Sequence, residues 1–374
     1  MKLNNINILK LFKRLHLIRL YSKVITPFFI GNQCSSVSES YKYLRRINED
    51  KGKSSVSFNQ IEKPRYDLQV IVPAYNAETT IKECLYSILN QETKYSFLVV
   101  CIDDGSTDET YTLLNSISNA FNNLLIIHQE NKGFSGARNA GLKKIFSKYI
   151  MFVDSDDKLE EGAIDKLLRA AFDNNSDIVE GSFRCVYRNK VQFLLSHNTE
   201  RVKDPFNTLY GYPWGKVYRS SLFADVVFPE NYWFEDTAMM YRIWPKCKSV
   251  ITLNDFVYRY EDNFSGITHK SKGKTKTIDT LWVTNKLLLD VKKSNKELLN
   301  KESIYNFTLK QIITNTLRLG YLGDSIVRAN FVISRHLLNE FFPDIKTNRK
   351  ELLSLENSLF ANNFRDFILS VYTY

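Results

Sequence analysis

Carboxylates recur in this sequence where buried strands ought to end. The stretch from Tyr149 to Leu159, YIMFVDSDDKL, puts Asp154, Asp156 and Asp157 directly behind a run of strand-forming apolar residues. Like charges this close repel one another and favour water. The cluster therefore either caps the helix expected in LEEGAIDKLLRAAF or meets a cation. A hard dication such as Mg2+ or Mn2+ takes oxygen ligands, and one or two carboxylates suffice when diphosphate oxygens complete its shell. Three more polar clusters occupy comparable positions: PAYN (73–76), DDGSTD (103–108) and ENKGFSGARN (130–139). Singly, each is an ordinary turn signal. Converging on one sheet edge, they suit a nucleoside diphosphate with its divalent ion.

The elements that must bring them together are legible around them. LQVIVPAY, FLVVCIDD, LLIIHQE and KYIMFVD read as four short buried strands. Between them lie helical patterns. TTIKECLYSILNQ carries Ile81, Cys84, Leu85, Ile88 and Leu89 on one face, and SGARNAGLKKIF reads as a helix throughout. Ser106 with Glu109 three residues later predicts a capping box that opens a helix through Leu113, Leu114 and Ile117. Strands alternating with helices imply an α/β fold with a mostly parallel sheet covered on both faces. Ligands of such sheets bind beyond the carboxyl ends of the strands, where the polar clusters lie. After about residue 270, TIDTLWVTNKLLLDV, SIYNFTLKQIITNTLRL and ANFVISRHLLNEFF predict a helical region.

The balance of charge narrows the class. Of 51 Lys and Arg and 41 Asp and Glu, thirteen bases and four acids fall in residues 1–65, leaving 38 and 37 over the other 309 residues. A nucleic-acid binder spreads basic charge along a reading surface with stacking aromatics, and this chain does not. INILKLFKRLHLIRLYSKVI has Ile8, Leu11, Leu15 and Ile18 at helical spacing among five bases. That segment would either lie on an anionic membrane surface or pack on the protein's own body. NEDKGKSSVSFNQIEKPR (48–65) reads as a linker. The expected domains are thus 1–65, a basic segment with linker; 66–270, the α/β domain; and 271–374, the helical region. Five scattered cysteines, none in a Cys-x-x-Cys pair, predict reduced thiols rather than a zinc site or a disulfide framework. No secretory signal and no apolar run long enough to span a bilayer is evident.

Taken in order, VIVPAYNAETTIKECLYSILNQ, CIDDGSTDET, NKGFSGARNAGL and YIMFVDSDD resemble the nucleotide-binding half of glycosyltransferase family 2, which has the GT-A fold. The resemblance runs from about Leu68 to Asp157. It implies that Pro73, Ala74 and Tyr75 border the base and ribose, and that Asp104, with Asp103 beside it, accepts a hydrogen bond from a uracil-type ring. It places Gly136 and Arg138 near the base and diphosphate, Asp154 toward the ribose or sugar, and Asp156 on the metal.

Further on, GYPWGKVYRSSLF and FPENYWFEDTAMMYRIW resemble the family's acceptor side, with Glu235 and Asp236 as its Glu-Asp element. The resemblance makes Asp236 the base that removes the acceptor hydroxyl's proton during inverting transfer. Lys216 would touch the diphosphate, Trp233 would stack on a sugar, and Arg259, Ser265 and His269 would approach the phosphates or the metal. The expected partners are a nucleotide-sugar donor, a UDP-sugar above all, and a glycan or lipid-linked acceptor. The expected location is the cytoplasm, with peripheral contact at the inner face of a membrane through the N-terminal segment. A nucleotidyltransferase can share this sheet, but VPAYNAETT lacks the Gly-rich loop and the base that such an enzyme carries after its first strand. A catalytically dead, glycan-binding scaffold is the remaining rival, and intact DSDD and FED motifs argue against it.

Overall fold

The computed structural model describes residues 36–262, 271–293 and 301–374. The N-terminal amphipathic pattern, Ser265 and His269 lie outside these residues. The described residues form two compact units: those within 53–231 and 235–262, and those within 36–52, 232–234, 271–293 and 301–374.

The first unit is built on ten strands: β1 (Gln60–Ala74), β2 (Phe97–Asp103), β3 (Leu124–His128), β4 (Lys144–Phe152), β5 (Lys158–Leu159), β6 (Ile178–Tyr187), β7 (Lys190–Leu195), β8 (Glu200–Arg201), β9 (Lys216–Arg219) and β10 (Val250–Glu261). They form one sheet in the order β3-β2-β1-β4-β9-β6-β10-β5, with β7 on β6 and β8 on β10. The first four strands pair in parallel, as the sequence predicts. Beyond them the sheet is mixed, because β9 runs antiparallel to both β4 and β6. The register aligns the carboxyl ends: Ala74 lies opposite Asp103, and Asp103 opposite His128. The four polar clusters therefore leave one rim.

Helix α1 (Val37–Ile47) belongs to the other unit, while α2 (Ile81–Leu89), α3 (Thr110–Ser118), α4 (Gly133–Leu142) and α5 (Ala163–Asp173) flank the sheet. The buried face of α2 is the predicted set, Ile81, Cys84, Leu85, Ile88 and Leu89. Helix α4 stops earlier than its apolar spacing implies. Lys144 and Ile145 instead pair with Gln60 and Ile61 at the start of β1. Buried Gln69 fixes that switch. Its Nε2 donates to the carbonyls of Gly141 (2.9 Å) and Lys144 (3.1 Å), and its Oε1 accepts the Phe146 N–H (3.0 Å). A lone amide in a buried strand is thereby satisfied. The capping box is not formed either: α3 opens at Thr110, and the Ser106 hydroxyl accepts the Asn76 N–H (3.0 Å). Those polar side chains latch two rim loops together instead of capping a helix.

Gly141 lets α4 sit down on the sheet. A Cβ there would meet Ile71 Cγ2 at 2.6 Å and Ile102 Cδ1 at 3.1 Å. Gly141→Ala gains about 1 kcal/mol of helix propensity, but overpacking a dense layer costs about 1–3 kcal/mol. The variant should unfold at lower guanidinium concentration; an unchanged or higher midpoint would show that the layer yields to the methyl.

The second unit contains α1 and the helices α6 (Asp279–Lys293), α7 (Lys301–Leu319), α8 (Asp324–Phe341), α9 (Lys350–Phe360) and α10 (Phe364–Thr373). The helical reading of the region beyond 270 is thus met. The segment read as a linker divides in two. Asn48 donates from its side chain to Asp279 (2.7 Å) and accepts Trp282 Nε1 at its carbonyl (3.0 Å), so residues to Gly52 join the helices. Gln60 onward is sheet.

Candidate active site

The rim is organised by side chains that hold neighbouring loops. Asn76 adopts a positive φ of 47° and accepts the Thr107 N–H at its Oδ1 (2.8 Å). The Asp104 N–H donates to the Ala74 carbonyl (2.8 Å). Pro73 and Ala74 are buried in the end of β1, and Tyr75 is exposed beyond them. Gly105 has a φ of +72°, and a Cβ on it would lie 2.9 Å from the Asn131 backbone nitrogen, so glycine alone fits where the second loop passes the third.

Asp103 and Asp104 point to different tasks. Asp103 is fully buried, with Oδ2 on His128 Nδ1 (2.6 Å) and Oδ1 accepting the Ser106 N–H (3.4 Å). It braces the end of β3 rather than facing a ligand. Asp104 gathers both of its side-chain partners on one oxygen: Oδ1 accepts Gln129 Nε2 (2.6 Å) and the Lys132 N–H (2.9 Å). Lys132 is the residue before α4, so the carboxylate sits at the positive end of that helix. Gly136 is buried in the same helix, where a Cβ would come within 2.2 Å of Lys132 Cβ.

Arg138, also on α4, joins the two halves of the candidate site. Its Nη2 holds Asp154 Oδ1 (2.8 Å), its Nη1 holds Glu235 Oε1 (2.7 Å), and its guanidinium lies over the Phe228 ring (5.3 Å). Burial opposes its charge, yet the carboxylates of Asp154 and Glu235 outweigh that and push its pKa above the ordinary value. Glu235 and Asp236 begin a short 3-10 turn, Glu235–Thr237, that follows Phe234 at a positive φ of 65°. Both acids are half-buried.

The loop after β4 treats its three acids differently. Asp154 is held by Arg138. Asp157 is buried; its Oδ2 accepts the Tyr258 hydroxyl (2.7 Å) and its Oδ1 the Glu261 N–H (2.8 Å). Burial, then the charges of Asp156 and Asp154, raise its pKa well above the usual carboxylate range. Asp156 is half-buried between them. Among the described residues no three His, Cys, Asp or Glu side chains are arranged to hold a metal by themselves. Three carboxylates on one short loop suit a hard cation completed by ligand oxygens better than an all-protein cage.

Some residues expected to touch a ligand are held by protein partners instead. Lys216 is buried within the sheet, where its ammonium pairs with Glu180 and donates to the Tyr210 carbonyl (2.9 Å). Its expected contact with a diphosphate is replaced by a structural one, because Glu180 needs a buried counter-charge. Arg259 is engaged by Glu261 (2.6 Å) and Asn189 (3.0 Å). Trp233 groups with the helical unit, its N–H donating to Asp279 (2.9 Å). Conversely, Tyr258 escaped the sequence reading. Its hydroxyl also accepts the Asp154 N–H (3.1 Å), but it lies on β10, over a hundred residues from the loop it supports, with no local signal. His128 carried one, as a polar residue closing an apolar strand.

Comparisons with known proteins agree with this architecture. Residues 69–227 match Glycosyl transferase family 2. Glycosyltransferase GlyA of Streptococcus pneumoniae serotype 4 is 27% identical over 81% of this chain and 46% of its own length, so the chain spans about half of that relative. The poly(ribitol-phosphate) beta-glucosyltransferase of Bacillus spizizenii is 29% identical over 52% of this chain and 32% of its own length. Among solved structures, S. aureus TarS superposes with a TM-score of 0.61 at 22% identity, covering 82% of this chain and 55% of that one. TarS residues 1–349 in complex with UDP-GlcNAc give 0.53 at 20% identity, over 72% and 91%. These likenesses show the shared fold. The match to Glycosyl transferase family 2 is thus carried by residues 69–227, the part of the chain that builds the parallel half of the sheet and its rim.

Proposed function

We propose that this protein is an inverting glycosyltransferase that carries a sugar from a UDP-sugar to a cell-surface glycan or lipid-linked saccharide. The observation that carries the reading is the Arg138 bridge, which ties the acidic loop after β4 to the Glu235–Asp236 turn at 2.8 and 2.7 Å. The UDP-GlcNAc complex of TarS supports the same donor class, and the beta-glucosyltransferase named for B. spizizenii supports transfer of a sugar onto a polymer.

In this reading Pro73, Ala74 and Tyr75 border the nucleoside and Asp104 accepts from the base. Asp154, fixed by Arg138, faces the ribose or sugar. Glu235 is a positioning residue, since a carboxylate already holding a guanidinium is a poor proton acceptor. Asp236 takes the proton from the acceptor hydroxyl as its oxygen bonds to the anomeric carbon, while the bond from that carbon to the diphosphate breaks and the electron pair leaves with UDP. Mn2+ or Mg2+ would be held by Asp156 and, when bound, would neutralise charge growing on the leaving diphosphate. The basic residues 1–65 support peripheral work at the inner face of a membrane. No helix among the described residues is long and apolar enough to cross one.

The test is UDP release from a panel of UDP-sugars with and without Mn2+. At least one sugar should give metal-dependent release, and Asp156→Ala should lose both hydrolysis and transfer. No release from any donor would favour a binding scaffold, and full activity in Asp156→Ala would remove that residue from the metal.

A further inference from the structure

Beside the acidic loop lies a stack of aromatic rings, of which only Tyr258 has a role assigned above. Tyr212 and Trp214 are near-parallel, with centroids 4.7 Å apart and planes 4° from each other. Trp214 stacks in turn on Tyr258 (4.5 Å, 7°) and on Tyr260 (5.6 Å, 14°), while Phe183 meets it edge-on (4.8 Å, 89°). Trp214 and Tyr258 are buried, but Tyr212 is 47% exposed. One face of its ring rests on the indole, so the exposed part lies away from Trp214.

This stack is joined to the reaction centre. The Tyr258 hydroxyl donates to Asp157 (2.7 Å) and accepts the Asp154 N–H (3.1 Å). The Trp214 backbone bridges to Phe152, two residues before Asp154. It is also held rigid from below. Glu180 accepts the Tyr210 N–H (3.0 Å), pairs with His197 (2.6 Å) and binds the Lys216 ammonium, which in turn donates to the Tyr210 carbonyl. Both ends of the segment from Tyr210 to Lys216 are thus pinned by buried charge. Gly215, at a φ of +73°, completes its turn. An exposed aromatic ordered this firmly, two rings from the acidic loop, could bind without rearrangement.

We propose that Tyr212, backed by Trp214, is a platform for a pyranose ring of the acceptor glycan. The ring's face of axial C–H groups lies on the electron-rich face of the phenol, and its hydroxyls stay at the edges, in water or on neighbouring polar groups. This rests on the transferase reading and names the acceptor as a ring-bearing saccharide rather than an open-chain polyol phosphate.

Saturation-transfer NMR on the full chain with UDP and Mn2+, using methyl β-D-glucopyranoside and ribitol 5-phosphate as probes, tests it. The glucoside's axial protons should be saturated in the wild type. Tyr212→Ala should weaken that binding by about tenfold to a hundredfold, as loss of an aromatic anchor does, and Tyr212→Phe should retain it. The melting temperature and UDP affinity should be the same in all three. Equal saturation in wild type and Tyr212→Ala, or none in the wild type, would overturn the platform; so would Tyr212-dependent saturation of ribitol phosphate alone. Tyr212-dependent glucoside binding in a protein that takes up no UDP would keep the platform and sink the donor reading instead.

Discussion

Arg138→Met should be the most damaging single substitution in the sheet-bearing unit, lowering its stability by about 3–5 kcal/mol and abolishing transfer. The side chain is close in length and apolar, so it can still lie against Phe228, where the guanidinium now sits. What disappears is the guanidinium that holds both Asp154 and Glu235, whose side chains are 26% and 13% exposed. Two partly buried carboxylates would then face each other without a counter-charge, and removing one partner of such a pair costs far more than the pair contributes while intact. Arg138→Lys separates charge from geometry. An ammonium is a single point, whereas the guanidinium holds one carboxylate on each terminal nitrogen, so lysine should recover only part of the loss. Guanidinium unfolding and UDP calorimetry on both variants measure this. If Arg138→Met unfolds within about 1 kcal/mol of the wild type, the two halves of the site do not depend on this bridge, and the central support for the proposed function falls with it.

The sequence made the parallel half of the sheet legible for a physical reason. Strands buried on both faces must be apolar at every position, and Leu68–Ala74 departs from that only at Gln69, which the end of α4 satisfies. The mixed half hides its strands. β6 carries Glu180 in its interior, tolerable only because Lys216 and His197 reach it from segments distant in the chain. Nothing local to IVEGSFRCVY announces those partners, and nothing local to WGKVY announces a buried lysine. The same applies to the site. Asp104 and Asp154 were legible as acids closing strands, and Arg138, Glu235 and Asp236 through the resemblance to family 2. Arg138 as the junction of two distant carboxylates was not, because ion pairing across 97 residues leaves no period or spacing to read.

The division of labour between adjacent acids gives the second large expectation. Asp236→Asn should reduce transfer by about 10²–10⁴, the usual contribution of a general base, while leaving metal-assisted UDP uptake intact. Asparagine keeps the shape of the side chain and cannot take a proton at the acceptor oxygen. Glu235→Gln should behave differently. The amide keeps an oxygen for Arg138 Nη1 but loses the charge that holds the guanidinium, so the defect should reach Asp154 and donor binding as well as turnover. The two variants therefore separate on one pair of measurements. Asp236→Asn should lower kcat with little change in the donor KM, and Glu235→Gln should raise the donor KM. Full transfer by Asp236→Asn, together with collapse of kcat alone in Glu235→Gln, would exchange the roles. The base would then be the acid that Arg138 holds, and the guanidinium would have to release it in each turnover before a proton could be taken.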